Sequence, residues 1–227
     1  MPSATQLIYT LFLALSYLAL FGLAEFLYHI LKVRAEITRK LVHVGSGLIS
    51  MSFPILLDNH WLVLLLGASF TLIIAVSLKF ELLKSINKVK RVTHGSILYP
   101  LSIYLCYLFF DGYASHFSLR TEAYFLYYLP LGILAISDPI AALAGKTFPF
   151  GKYKSGIEYK TFFGSGMFFL SAFLISIVLL PSFGSNQMLH ALLIALAAAC
   201  AEAFSKKGWD NIFIPLSAII VLYSLQL

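Results

Sequence analysis

Long apolar stretches, separated by short polar segments, make up most of the chain. Eight such runs can be marked: Leu7–Leu31, Leu41–Leu57, Trp61–Leu78, Ile97–Phe110, Glu122–Gly145, Phe162–Leu180, Met188–Phe204 and Ile212–Gln226. They are continuous and do not alternate apolar with polar. In lipid, where a backbone must satisfy its own hydrogen bonds, that pattern predicts helices and not barrel strands. A bilayer crossing takes about 20 apolar residues. The expectation is therefore an all-α polytopic membrane protein of about eight transmembrane helices, with residues 1–227 forming a single integral membrane domain. The first run has no basic residue before it and no clear small-residue cleavage site after it, so it reads as a retained helix and not as a signal peptide. The fourth and eighth runs are short and carry Pro100 and Pro215. Such spans either free backbone groups for a ligand or are simply tilted or partly re-entrant.

Composition agrees with this reading. Hydrophobic residues make up 60% and charged residues 11% of the chain, against about a quarter charged in soluble domains, and the mean hydropathy is +0.88. A soluble enzyme, a disordered chain and a disulfide scaffold are excluded. Cys106 and Cys200 both lie within apolar runs, and two isolated thiols predict neither a disulfide nor a metal site. The net charge is +6, but its distribution speaks for topology and not for nucleic acid. Lys32, Arg34, Arg39 and Lys40 fall in or beside the first loop, and Lys79, Lys84, Lys88, Lys90 and Arg91 in the third. Lys146, Lys152, Lys154 and Lys160 fall in the fifth, and Lys206 and Lys207 in the seventh. The even loops hold only Arg120. By the positive-inside rule the odd loops face the cytoplasm and both termini lie outside. The polar residues that look placed gather on the same side. The outer loops, Asp58-Asn59-His60 and Ser182 to Asn186, are bland. That points to an active site at one membrane face, where a transporter would place polar groups at mid-membrane.

Four clusters carry candidate chemistry. Asp138, in Ser137-Asp138-Pro139, lies inside the fifth run, where a carboxylate is costly unless paired or metal-bound. The loop from Gly145-Lys146-Thr147 to Gly151-Lys152 is followed by Lys160-Thr161 and by Gly164-Ser165-Gly166. Its glycines and lysines suit phosphate oxygens. The Walker A spacing fails, since the first glycine of that motif would fall on Ile140. The segment is either a phosphate loop of another type or a basic loop, and Thr161 to Gly166 opens a helix whose N-terminal dipole favours an anion. On a helix Arg39 and His43 share one face, as do Lys40, His43 and Gly47. Glu202 lies at the end of the seventh run. Asp210-Asn211 opens the eighth, where the acid serves equally as an N-cap. Glu25 and His29, one turn apart, can pair. Carboxylates, lysines and glycines at one face, beside apolar walls, suggest Mg²⁺, a polyphosphate and a lipid acceptor.

Taken in order, several motifs resemble the dolichol kinase, phytol kinase and CTP-dependent diacylglycerol kinase (polyprenol kinase) family. They are Arg39-Lys40-x-x-His43, Ser137-Asp138-x-x-Ala141, Lys160-Thr161-x-x-Gly164-Ser165, and Glu202 followed by Asp210-Asn211-x-x-x-Pro215, with Arg91-x-x-x-Gly95 and Tyr99-Pro100 between them. The resemblance spans nearly the whole chain. It implies a nucleoside-triphosphate-dependent kinase, CTP the commoner donor, that phosphorylates the hydroxyl of a membrane lipid alcohol, a polyprenol or other isoprenoid alcohol or diacylglycerol. The site would face the cytoplasm in the cell (inner) membrane. It further implies Asp138 and Lys160 as catalytic residues, and Asp138, Glu202 and Asp210 as Mg²⁺ ligands. Arg39, Lys40, His43, Gly145, Lys146, Gly151, Lys152, Thr161, Gly164, Ser165 and Asn211 would bind nucleotide and phosphate. Ser137-Asp138 stands where phytol kinases carry Gly-Asp, which argues against fixing phytol as the acceptor. The second half also resembles phosphatidate cytidylyltransferases, and that activity is the alternative, with a small lipid transporter third.

Overall fold

The computed structural model describes residues 3–80, 82–87, 94–155, 158–180 and 186–225. The basic positions Lys88, Lys90 and Arg91, and Ser182 to Ser185 of the expected outer loop, lie outside them.

The chain runs α1 (Ala4–His29), α2 (Ala35–Ser50), the short α3 (Phe53–Leu56), α4 (His60–Lys79), the short α5 (Lys84–Asn87) and α6 (Gly95–Tyr113). Two 3-10 turns, Ala114–His116 and Arg120–Tyr124, lead into α7 (Phe125–Gly132), a π turn (Ile133–Ser137) and α8 (Asp138–Thr147). A hairpin follows, β1 (Lys152–Ser155) antiparallel to β2 (Glu158–Thr161). Then come α9 (Phe162–Leu179), α10 (Gln187–Phe204) and α11 (Asp210–Ser224). Each of the eight apolar runs coincides with helix. Among the described residues, six helical segments are long and apolar enough to cross a membrane: α1, α4, Gly95–His116, Arg120–Thr147, α9 and α10. The other two runs form α2, of 16 residues, and α11, of 15, both shorter than a standard crossing. The first half of α2 carries Glu36, Arg39, Lys40 and His43, which keep it polar.

Each outer helix buries one stripe and leaves the rest apolar. On α1 the buried residues are Thr10, Leu13, Tyr17, Phe21 and Ala24, spaced three or four apart, which is the helical repeat. Leu7, Ile8, Leu11, Phe12 and Leu15 point outward and are exposed. Such a continuous apolar exterior suits lipid and not water. The Arg120–Thr147 segment is the central helix, 67% of its apolar window being buried. Around it the aromatic rings of Tyr107, Phe110 and Tyr127 pack edge to face, and their polar tips find partners. The Tyr127 hydroxyl donates to the Ser50 carbonyl at 2.9 Å and that of Tyr107 to the Leu57 carbonyl at 2.5 Å.

The two ends of the bundle differ. At one end Arg120 donates to Asp111 at 3.1 Å and lies over the Phe110 ring. The other end gathers the remaining described lysines and arginines. There Glu25 pairs with His29 at 3.0 Å, as their spacing predicts, and also accepts from the Ser85 amide at 2.9 Å, tying α1 to α5.

Candidate active site at the basic end

The site begins with a proline. In an α-helix the N–H of residue 139 would bond the Ala135 carbonyl, and in π register it would bond Leu134; Pro139 supplies neither. The helix answers with the π turn at Ile133–Ser137. The Leu134 carbonyl finds a partner from another helix, His43 Nε2 at 3.1 Å. That bond makes Nε2 the protonated ring nitrogen. The register shift leaves Asp138 facing α2. Its Oδ2 accepts from Lys40 Nζ at 2.8 Å and lies 3.9 Å from His43 Nε2. Both members of the Lys40–Asp138 pair are largely buried, at 23% and 16% side-chain exposure, so the attraction is screened less than at a surface. Tyr99 fixes this face of α2: its hydroxyl donates to the His43 carbonyl at 2.9 Å, and its ring lies 4.3 Å from the imidazole.

A second pair stands beside the first. Lys160, on β2, bonds Glu202 Oε1 at 2.7 Å and also the Glu202 carbonyl. Ser165 donates to Glu202 Oε2 at 3.3 Å and bonds the Tyr153 hydroxyl at 2.7 Å. The Ser155 hydroxyl donates to the Ala203 carbonyl at 3.0 Å. The hairpin is thereby fastened over the ends of α9 and α10. Its register pairs Tyr153 with Lys160. Asp138 lies within electrostatic range of Lys160 as well as of Lys40 and His43, and Asp210 within range of Asp138, Lys160 and Lys40. Five of the residues expected from sequence therefore share one field.

The glycines have a packing role. A Cβ on Gly145 would sit 2.6 Å from Thr161 Oγ1, and one on Gly164 would sit 2.9 Å from the Ala141 carbonyl oxygen. Their bareness lets α8 and α9 touch. Thr161 caps α9, its hydroxyl accepting from the Gly164 amide at 3.0 Å. Gly151 has φ +64 and faces the Phe162 ring. Lys146 pairs with Glu36, and Lys152 is exposed on β1; both stand at the rim. Asn211 is buried and reaches across to α6, its Nδ2 donating to the Gly95 carbonyl at 2.7 Å. Arg39 approaches the same place, since a Cβ on Gly95 would lie 3.2 Å from its Nη2. Pro215 cannot bond the Asn211 carbonyl four residues before it, and the Ser102 hydroxyl does so instead. The freed group at this proline is thus met by protein.

Among the described residues no three His, Cys, Asp or Glu gather closely enough to hold a metal alone. The donor set is that of a cation arriving with phosphates: Mg²⁺ is commonly held by one or two carboxylates together with phosphate oxygens and water, and Asp138 and Asp210 answer that description. Asp138 is engaged by Lys40 and Glu202 by Lys160, and Lys160 bonds the Glu202 carbonyl as well. Sequence reasoning gave no sign of the Lys40–Asp138 and Lys160–Glu202 pairings or of the Tyr153–Ser165 contact. Tyr99 was visible in its motif without a role.

The chain is 30% identical over 229 residues to the phytol kinase of Synechocystis sp. (strain ATCC 27184 / PCC 6803 / Kazusa), covering 98% of this chain and 94% of that protein. No protein-family model and no solved structure matches the chain.

Proposed function

The chain belongs to the phytol kinase family, and from that premise we propose that it is a lipid-alcohol kinase that uses CTP at the cytoplasmic face of the cell membrane. The acceptor is an isoprenoid alcohol or another membrane alcohol such as diacylglycerol. The observation that carries this reading is the Lys40–Asp138 pair, with His43 at 3.9 Å and with Lys160 and Asp210 in electrostatic range. Phosphoryl transfer needs little covalent help from protein and much positioning and charge neutralisation, and this site is built from groups that do both.

In the proposed reaction the acceptor oxygen bonds to the γ-phosphorus as the bond to the β–γ bridging oxygen breaks. CDP leaves, and the hydroxyl proton passes to the Asp138 carboxylate. Lys40, Lys160 and Arg39 hold phosphate oxygens, with Lys146 and Lys152 drawing the nucleotide in from the rim. His43, anchored on the Leu134 carbonyl, keeps Asp138 and Lys40 in register. Glu202 and Ser165 hold the hairpin and Lys160 in place. Asp138 and Asp210 would hold Mg²⁺, which when bound neutralises phosphate charge. The test is purified protein in detergent with Mg²⁺, each of CTP, UTP and ATP in turn, and a panel of lipid alcohols. Phosphorylated alcohol, formed fastest with CTP, is the expected product. Absence of any phosphorylated lipid with every donor overturns the reading.

A further inference from the structure

A cleft opens beside the site between α1, α2, α4 and α6. Its wall changes character along its length. At the basic end it is lined by Arg39, Ser96 and Asn211, and then by His43. Beyond them the lining from α4 and α6 includes Ile74, Phe70, Gly67 and Val63 on one side and Pro100 and Ile103 on the other. From Ile74 to Val63 the helix rises about 16 Å. Tyr17 lines the cleft as well, its ring packing on Phe70 at 4.5 Å and its hydroxyl bonding Ser50. The occupant this wall fits has one polar end and one apolar tail, with the polar end beside His43 and hence beside Asp138.

We infer that this cleft holds the hydrocarbon tail of the acceptor alcohol, and that Gly67 sets the width of chain it admits. The identity of the occupant rests on the lipid-alcohol kinase reading; the geometry does not. Gly67 faces the Pro100 backbone, where an added Cβ would lie 3.5 Å from the carbonyl oxygen, an ordinary contact. Alanine is therefore accommodated, whereas leucine adds bulk at a position that lines the cleft and has the Pro100 backbone close by. A methyl-branched isoprenoid tail is wider than a straight one, so narrowing the wall at this position discriminates between them. A misfit of a methylene or two in an apolar pocket changes discrimination by about tenfold or more.

The test compares wild type, Gly67→Ala and Gly67→Leu on geranylgeraniol and on a straight-chain fatty alcohol. For Gly67→Leu, KM for geranylgeraniol is expected to rise about tenfold with kcat little changed, while KM for the straight chain moves much less. Gly67→Ala should resemble wild type. Equal loss on both acceptors, or no loss on either, overturns the inference. A second measurement needs neither folding of the leucine variant nor turnover. Wild-type protein is photolabelled with geranylgeraniol carrying a diazirine at its tail, and adducts are mapped by mass spectrometry. Adducts on Val63, Phe70 or Ile103 support the cleft. Adducts confined to lipid-facing residues of the same helix, such as Leu65 and Leu72, which are exposed, overturn it. If no donor yields phosphorylated lipid, the kinase reading fails while the labelling still decides the cleft.

Discussion

Lys40 Nζ stands 2.8 Å from Asp138 Oδ2, although 98 residues separate them in the chain. The contact joins α2 to the first residue of α8, just after the π turn, and it places a cation against a carboxylate embedded in the central helix. Two consequences can be measured. Asp138→Asn keeps the size of the side chain and removes its charge, and turnover should fall on the order of 10²-fold or more. Lys40→Met should also lose activity heavily. Because the two act as a unit, the double variant should be little slower than the worse single one. Steady-state rates of the four proteins check this. Strictly multiplicative losses would contradict a joint role.

The Lys160–Glu202 pair leads to a different signature. Glu202→Gln leaves a hydrogen-bonding group but takes away the charge that holds the ammonium. Lys160 then loses its fixed position and the hairpin loosens. The nucleotide KM should rise by about tenfold, the equivalent of roughly 1.4 kcal/mol, with a smaller change in kcat, and the thermal midpoint in detergent should drop. A Glu202→Gln protein with unchanged nucleotide KM would remove this residue from the account.

Helix contact at Gly164 predicts a stability effect with an internal control. Alanine there brings a methyl to 2.9 Å from the Ala141 carbonyl oxygen, whereas an added Cβ at Gly166 meets nothing within 4 Å. Gly164→Ala should destabilise by about 1–3 kcal/mol, and Gly166→Ala should not destabilise measurably. Thermal unfolding followed by size-exclusion fluorescence separates the two.

Orientation in the membrane follows from the basic loops. Ser3 and Lys154 are both exposed and lie at opposite ends of the expected topology. Ser155 is a poor probe position, being buried with its hydroxyl bonded to Ala203. In a Cys106→Ser, Cys200→Ser background, cysteine at Ser3 should react with an impermeant maleimide in intact cells, and cysteine at Lys154 should react only after permeabilisation. The reverse pattern would invert the topology.

Helix placement was legible because apolar runs of this length have one solution in lipid, and every run is helical. The candidate site was legible residue type by residue type, since a carboxylate inside an apolar run such as Asp138 stands out by its cost. Partners were not legible: nothing local to Lys40 or Glu36 points to residues about a hundred positions away. The hairpin was hidden as well. Lys152–Ser155 and Glu158–Thr161 are too short for a period-two pattern to rise above a basic loop. The π turn could have been read from Pro139, whose missing N–H forces a choice on the helix before it, but which carbonyl is left and that His43 meets it depend on packing. Gly145 and Gly164 show the same ambiguity in another form, because close helix contact and close phosphate approach both ask for a residue without a side chain.

The central claim is γ-phosphoryl transfer to a lipid hydroxyl at the Asp138 site. The most direct measurement incubates the purified protein with geranylgeraniol or diacylglycerol and CTP labelled in parallel reactions at the α or the γ phosphate. The account predicts γ-label in the extracted lipid, CDP in the aqueous phase and no α-label in lipid, with the γ signal lost in Asp138→Asn. With phosphatidate as acceptor, lipid-borne α-label accompanied by pyrophosphate would contradict it and identify a cytidylyltransferase.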